Sequence, residues 1–113
     1  MDNFTITVFN ISGKLDDIVA ELQIEDIDFM FKFHVCSVNI NPDDFNNFLD
    51  NIINGKNTSM KFAINTPLEN CISLTDQRVH FIKDGIRIIV DHSQEIKDAF
   101  VQIRNTITSM YKS

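Results

Sequence analysis

Hydrophobic and polar positions alternate from the start of the chain. Phe4, Ile6 and Val8 fall on one face and Thr5 and Thr7 on the other, which predicts a half-buried strand over 4–11. Ser12-Gly13 punctuates it. Residues 15–24 set Ile18, Ala20, Leu22 and Ile24 against Asp17, Val19, Glu21 and Gln23, a second strand that hairpins onto the first. Glu25-Asp26 form a polar turn. A third strand over 28–40 carries Phe29, Phe31, Phe33 and Val35 on one face.

The period then changes. Asn41 is a capping residue, Pro42 suits the first helical position, and Asp43 and Asp44 face the positive end of the helix dipole. Phe45, Phe48, Leu49, Ile52 and Ile53 recur at helical spacing, and Gly55 ends the helix in the left-handed conformation. Met60, Phe62 and Ile64 alternate as a strand that Thr66-Pro67 breaks. Cys71–Leu74 and Val79–Ile82 are short strands about a Thr75-Asp76-Gln77 turn. Lys83-Asp84-Gly85 carries the Asp-Gly hairpin signal, and Ile86–Val90 is the returning strand. Ser93 caps a last helix whose apolar face is Ile96, Ala99, Phe100, Ile103, Ile107 and Met110.

The order is β-β-β-α-β-β-β-β-α. Strands joined by short turns make antiparallel sheet, and two amphipathic helices must bury their stripes on it. The predicted class is α+β, with about seven antiparallel strands and two packed helices. With 113 residues and no repeat or linker, the chain reads as one domain over 1–113.

Composition narrows the function. Hydrophobic residues make up 43% and charged residues 23%, the balance of a globular core. The net charge of −6 argues against nucleic acid as a partner, because that binding draws on basic residues at phosphates. No apolar run is long enough for a membrane span, and the first residues do not read as a secretory signal. Cys36 and Cys71 read as buried thiols of a reducing compartment, which implies an intracellular, cytoplasmic protein or a virion component. Abundant Ile, Asn, Phe and Lys, with three Ala and three Gly, point to an A/T-rich genome.

Charge is uneven. Ten acidic and three basic residues precede residue 57, and six acidic and seven basic follow. The acidic residues Asp16, Asp17, Glu21, Glu25, Asp26, Asp28, Asp43 and Asp44 are therefore the candidate interaction residues. Ten Phe with no Trp point to core packing rather than to a stacking platform. A small open sheet has two edges, with modest protection from Lys32 and Glu21, and edge pairing between copies leads to a homo-oligomer.

Candidate chemistry is sparse. The sequence lacks a phosphate-binding glycine loop, a Cys-x-x-Cys, a His-Glu-x-x-His and a Gly-x-Ser-x-Gly. His34 and Cys36 share a strand face, but His80, His92 and Cys71 are scattered and do not complete a zinc set. Asp91-His92 reads as a strand-to-helix turn. Glu95 and Lys97 open a helix, unlike the strand-borne acid and lysine of a nuclease metal site. No catalytic, cofactor-binding or metal-binding residue is assigned, and no cofactor is expected.

From Asn39 to about Lys112 the layout resembles small uncharacterised α+β proteins of large DNA viruses and A/T-rich microbes. The similar elements are Pro42-Asp43-Asp44-Phe45-x-x-Phe48-Leu49 ending at Asn54-Gly55-Lys56, then Met60-x-Phe62, the Lys83-Asp84-Gly85 hairpin and the closing helix. The strand-helix-strand part also resembles some bacterial intracellular immunity proteins. The resemblance implies a non-enzymatic role and transfers no catalytic residue.

The expected function is a non-enzymatic protein-interaction or assembly module, such as a viral or mobile-element accessory or structural protein. Its partner is an unidentified protein or a second copy, with neither nucleic acid nor membrane involved. The alternatives are an intracellular inhibitor that shows its acidic half to a basic target, and last a divalent-metal enzyme.

Overall fold

The computed structural model describes residues 4–12, 19–26, 28–37 and 40–112; for Phe9, Asn10, Ser12, Met110, Tyr111 and Lys112 the backbone alone is described. The expectations for Ile18, for the start of the second strand and for the Met110 side chain lie outside that description.

The elements follow the predicted order: β1 (Thr5–Ser12), β2 (Val19–Glu25), β3 (Met30–Cys36), α1 (Pro42–Ile53), β4 (Thr58–Phe62), β5 (Asn70–Thr75), β6 (Arg78–Lys83), β7 (Ile86–Asp91) and α2 (Gln94–Lys112). All strand pairs are antiparallel. The seven strands divide into a three-stranded sheet, β1-β2-β3, and a four-stranded sheet, β4-β5-β6-β7. Helix α1 carries the chain from one to the other.

Local chemistry sets the boundaries. The Asn41 side-chain oxygen accepts the N–H groups of Asp43 at 2.8 Å and Asp44 at 3.4 Å, and Pro42 opens α1. The helix ends where Gly55, at φ +71°, donates to the Ile52 carbonyl and Lys56 donates to that of Asn51. This double closure satisfies two carbonyls that the helix end leaves free. Ser93 accepts the Ile96 N–H at 3.4 Å and starts α2.

Three boundaries differ from the sequence reading. β3 is shorter than 28–40: the Asp26 N–H donates to the Phe29 carbonyl in a turn before it, and the Ile40 N–H donates to the Ser37 carbonyl after it. β4 stops at Phe62, because Ala63 at φ 53° breaks the alternation and puts Ile64 in a turn. The β5–β6 turn is two residues, Asp76 and Gln77, both at positive φ, so a hairpin geometry that usually takes glycine is built without one.

One core joins the two sheets and both helices. Phe33 of β3 lies 5.2 Å from Phe81 of β6, centroid to centroid. Phe48 of α1 lies edge-on to Phe62 of β4 at 5.4 Å and to Phe100 of α2 at 6.3 Å. Helix α2 runs beside β1, and α1 lies beside β4 and against α2.

Candidate functional site

The four sheet edges are treated differently. β1 is flanked by α2, and β4 by α1. β3 is closed at His34 by a side chain: Asn70 Oδ1 accepts the His34 N–H at 3.2 Å, and Asn70 Nδ2 donates to the His34 carbonyl at 3.0 Å. β7 ends the four-stranded sheet, and among the described residues no strand pairs with its outer edge.

The geometry of that edge follows from the preceding hairpin. Asp84 and Gly85, at φ 51° and 79°, form a two-residue turn that places Lys83 opposite Ile86. In such a hairpin the pair flanking the turn exchanges backbone hydrogen bonds, and so does every second pair after it. Beyond the strand end His92 donates to the Gln77 carbonyl at 2.9 Å, in phase with this count. Ile86, Ile88 and Val90 therefore spend their backbone groups on β6. Arg87, Ile89 and Asp91 aim theirs outward, and no hydrogen bond closes them among the described residues. All three residues are exposed, and so is Ile86; Ile86 and Ile89 keep 44% and 41% of their surface accessible.

The outer face of the same sheet is laid out in rows by the register. Lys61, Cys71, Ile82 and Arg87 form one row, and Ser59, Ser73, His80 and Ile89 the next. Thr75, Arg78 and Asp91 form a third. Every residue of these rows is exposed or half-buried. The face carries Lys61, Arg78 and Arg87 against one carboxylate, Asp91, in a chain of net charge −6.

A second feature lies where the chain leaves β4. An apolar pocket of about 510 Å³ is lined by Cys36, Ile40, Ala63, Ile64, Pro67 and Leu68, with Lys61 the charged group among its described lining residues. Its wall is a built loop. Thr66 Oγ1 donates to the Ala63 carbonyl at 2.7 Å and accepts the Leu68 N–H at 3.1 Å, and the Asn65 N–H donates to Glu69 at 3.1 Å. Ala63 and Asn65 are both left-handed, a conformation that costs a residue with a Cβ. The loop leaves Ile64 and Leu68 54% and 45% exposed.

The acidic candidates take up separate places. Glu21 and Glu25 lie on β2, with Glu21 half-buried and its carboxylate 3.7 Å from the His34 ring. Glu21 is on the central strand of its sheet, so it does not guard an edge; Lys32, on β3, does lie on one. Asp26 accepts the Asp28 N–H at 3.3 Å and shapes the β2–β3 turn. Asp43 and Asp44 are exposed in the first turn of α1. Asp16 and Asp17 lie outside the described residues.

His34 and Cys36 are buried on the same side of β3. The His34 pKa is lowered from its ordinary 6.5, chiefly by burial and then by the charge of Lys83, while Glu21 opposes the shift. Its Nδ1 has no hydrogen-bond partner among the described residues. Cys71 departs from expectation: it is half-buried on the outer sheet face, 3.6 Å from Ser59 Oγ. Among the described residues no three His, Cys, Asp or Glu side chains are grouped to hold a metal, and no helix is long and apolar enough to cross a membrane.

The sequence carried a signal for the open edge. An Asp-Gly turn runs directly into Ile-Arg-Ile-Ile-Val, without the proline or lysine that blunts edge strands. What it lacked was the strand order that puts β7 outermost. No protein-family model, curated protein or solved structure matches the chain.

Proposed function

We propose that this protein is a non-enzymatic interaction and assembly module that works by strand addition at the β7 edge. The observation that carries this is the row of outward backbone groups on Arg87, Ile89 and Asp91 beside exposed Ile86 and Ile89. An edge of this kind is a template for another strand.

The magnitudes favour a reversible association. Each added backbone bond contributes roughly 0.5–1.5 kcal/mol net of its water contacts. Covering an exposed isoleucine adds up to about 1.5–3 kcal/mol. Association costs about 4–15 kcal/mol in lost freedom, which offsets most of this gain, so the contact is weak and concentration-dependent. The described acidic candidates, by contrast, have local tasks beside the His34 ring, in a turn and at a helix start, which favours the edge over the acidic half as the working surface. The A/T-rich composition fits an accessory or structural protein of a large DNA virus or mobile element.

Light scattering from about 1 to 500 µM tests the reading, with Ile89→Pro beside the wild type. The Ile89 N–H points away from β6, so proline removes no bond of the native ladder. The wild type should gain mass with concentration while the folded variant stays at 13.0 kDa. Ile89→Lys, which keeps every backbone group, should also weaken assembly. A wild type that stays monomeric throughout, or an assembly indifferent to the proline, overturns the proposal.

A further inference from the structure

We infer that the strand received at this edge is β7 of a second copy, paired antiparallel about a two-fold axis through Ile89. The inference rests on the edge reading above and specifies its partner, symmetry and register.

Two constraints select the register. Residues facing one another across an antiparallel pair must lie on the same sheet face, since side chains alternate with a period of two. A two-fold axis normal to the sheet must therefore pass through a residue, not between two. Of the six positions of β7, the outward-pointing ones are 87, 89 and 91, which are symmetric about Ile89. An axis there sets Arg87 opposite the partner's Asp91, Ile88 opposite the partner's Val90, and Ile89 opposite the partner's Ile89. All the outward N–H and C=O groups are then used, in six inter-copy bonds. An axis through Ile88 uses only Arg87 and Ile89 within the strand, in four bonds, and leaves Asp91 facing the glycine of the partner's turn.

Charge points to the same axis. Arg87 and Asp91 both lie on the outer face, so the Ile89 axis forms two identical Arg–Asp cross-strand pairs. Asp91 already faces Arg78 on β6, and the partner's Arg87 flanks it from the other side. Displacing the axis to Ile88 sets Arg87 against isoleucine. The strand is thus self-complementary in charge, in hydrogen-bonding phase and in apolar contact about one residue, as an isologous interface requires. The product is a continuous eight-stranded sheet with both cores on one side.

A charge-reversal mixing experiment tests this register. Arg87→Asp alone sets like carboxylates face to face in both pairs, and Asp91→Arg alone sets like cations. Each should weaken self-association at least tenfold. Mixed one to one, the two variants regain opposite charges in both pairs and should form a dimer at a concentration where each alone is a monomer. As a second measurement, Ile89→Cys in a Cys71→Ser background should oxidise to a covalent dimer, because the facing Cα atoms would lie about 5.5 Å apart, within disulfide reach. If Ile89→Pro dissolves the wild-type dimer but the mixture stays monomeric and no covalent dimer forms, strand addition stands and this register is wrong. A dimer that survives Ile89→Pro shows instead that the edge is not the contact.

Discussion

The buried side-chain amide of Asn70 pairs with the backbone of His34 as a strand peptide would, accepting its N–H and donating to its carbonyl. One side chain thereby ties the first residue of β5 to the free edge of β3 and holds the two sheets together at that point. It also explains why β3 does not compete with β7 as a docking edge at this position.

Replacing Asn70 should therefore be costly. Asn70→Ala leaves two buried backbone groups of His34 without partners and should lower stability by roughly 2–3 kcal/mol. Asn70→Asp should do no better, because a carboxylate cannot donate to the His34 carbonyl and takes a charge into the core. Urea unfolding, read at constant m-value, measures both; a loss below about 0.5 kcal/mol would show that the amide is not a structural joint.

His34 makes stability pH-dependent. Its folded-state pKa lies below the ordinary 6.5, through burial and Lys83, so the unfolded chain binds a proton that the native state resists. Stability from this group is full above pH 6.5 and falls as pH drops through 6.5 toward the folded-state value. The urea midpoint should decline between pH 7.5 and 5.5 more steeply in the wild type than in His34→Gln. Parallel profiles for the two proteins would remove His34 as the cause.

The loop beside the apolar pocket stores strain. Ala63 sits at φ 53°, where an L-residue with a Cβ is disfavoured by about 1–2 kcal/mol. Ala63→Gly should raise stability by up to about 1 kcal/mol, offset in part by the extra freedom of glycine in the unfolded chain. Thermal unfolding checks the sign; a destabilised variant would mean that the Ala63 methyl packs in the pocket wall more strongly than its backbone resists.

The helix pair offers a contrast of magnitudes. Arg104 and Asp50 meet at 2.6 Å across α1 and α2, but both side chains are well exposed, and such pairs contribute about 0–1 kcal/mol. Phe48, buried between Phe62 and Phe100, should cost about 3–5 kcal/mol on truncation to alanine. Denaturant titration of Arg104→Ala and Phe48→Ala should rank them in that order, and comparable losses would overturn the assignment of stability to the aromatic cluster.

Much of the fold was legible because its signals are local. Asn41-Pro42 marked the start of α1, Gly55 its end, Asp84-Gly85 the last hairpin, and the Ile96-to-Ile107 stripe the buried face of α2. The division into two sheets was not legible, since alternation shows which face is buried and not where one meander stops and the next begins. The Asp76-Gln77 turn lacks the glycine that announces such geometry. Cys36 is buried as its thiol character suggests, beside the loop over residues 63–68; the burial of His34 on the same face, away from the phenylalanines, is what alternation within β3 cannot register. The candidate edge falls between these cases: its residues were readable, while its position at the end of the sheet depends on strand order.

Residue-resolved amide hydrogen exchange on β7 distinguishes strand addition at this edge from contact elsewhere. The N–H groups of Ile86, Ile88 and Val90 should be protected at every concentration, because they bond to β6. Those of Arg87, Ile89 and Asp91 should exchange freely in dilute protein and become protected as concentration rises. Free exchange of these three amides in a sample that scatters as an oligomer would contradict assembly through this edge.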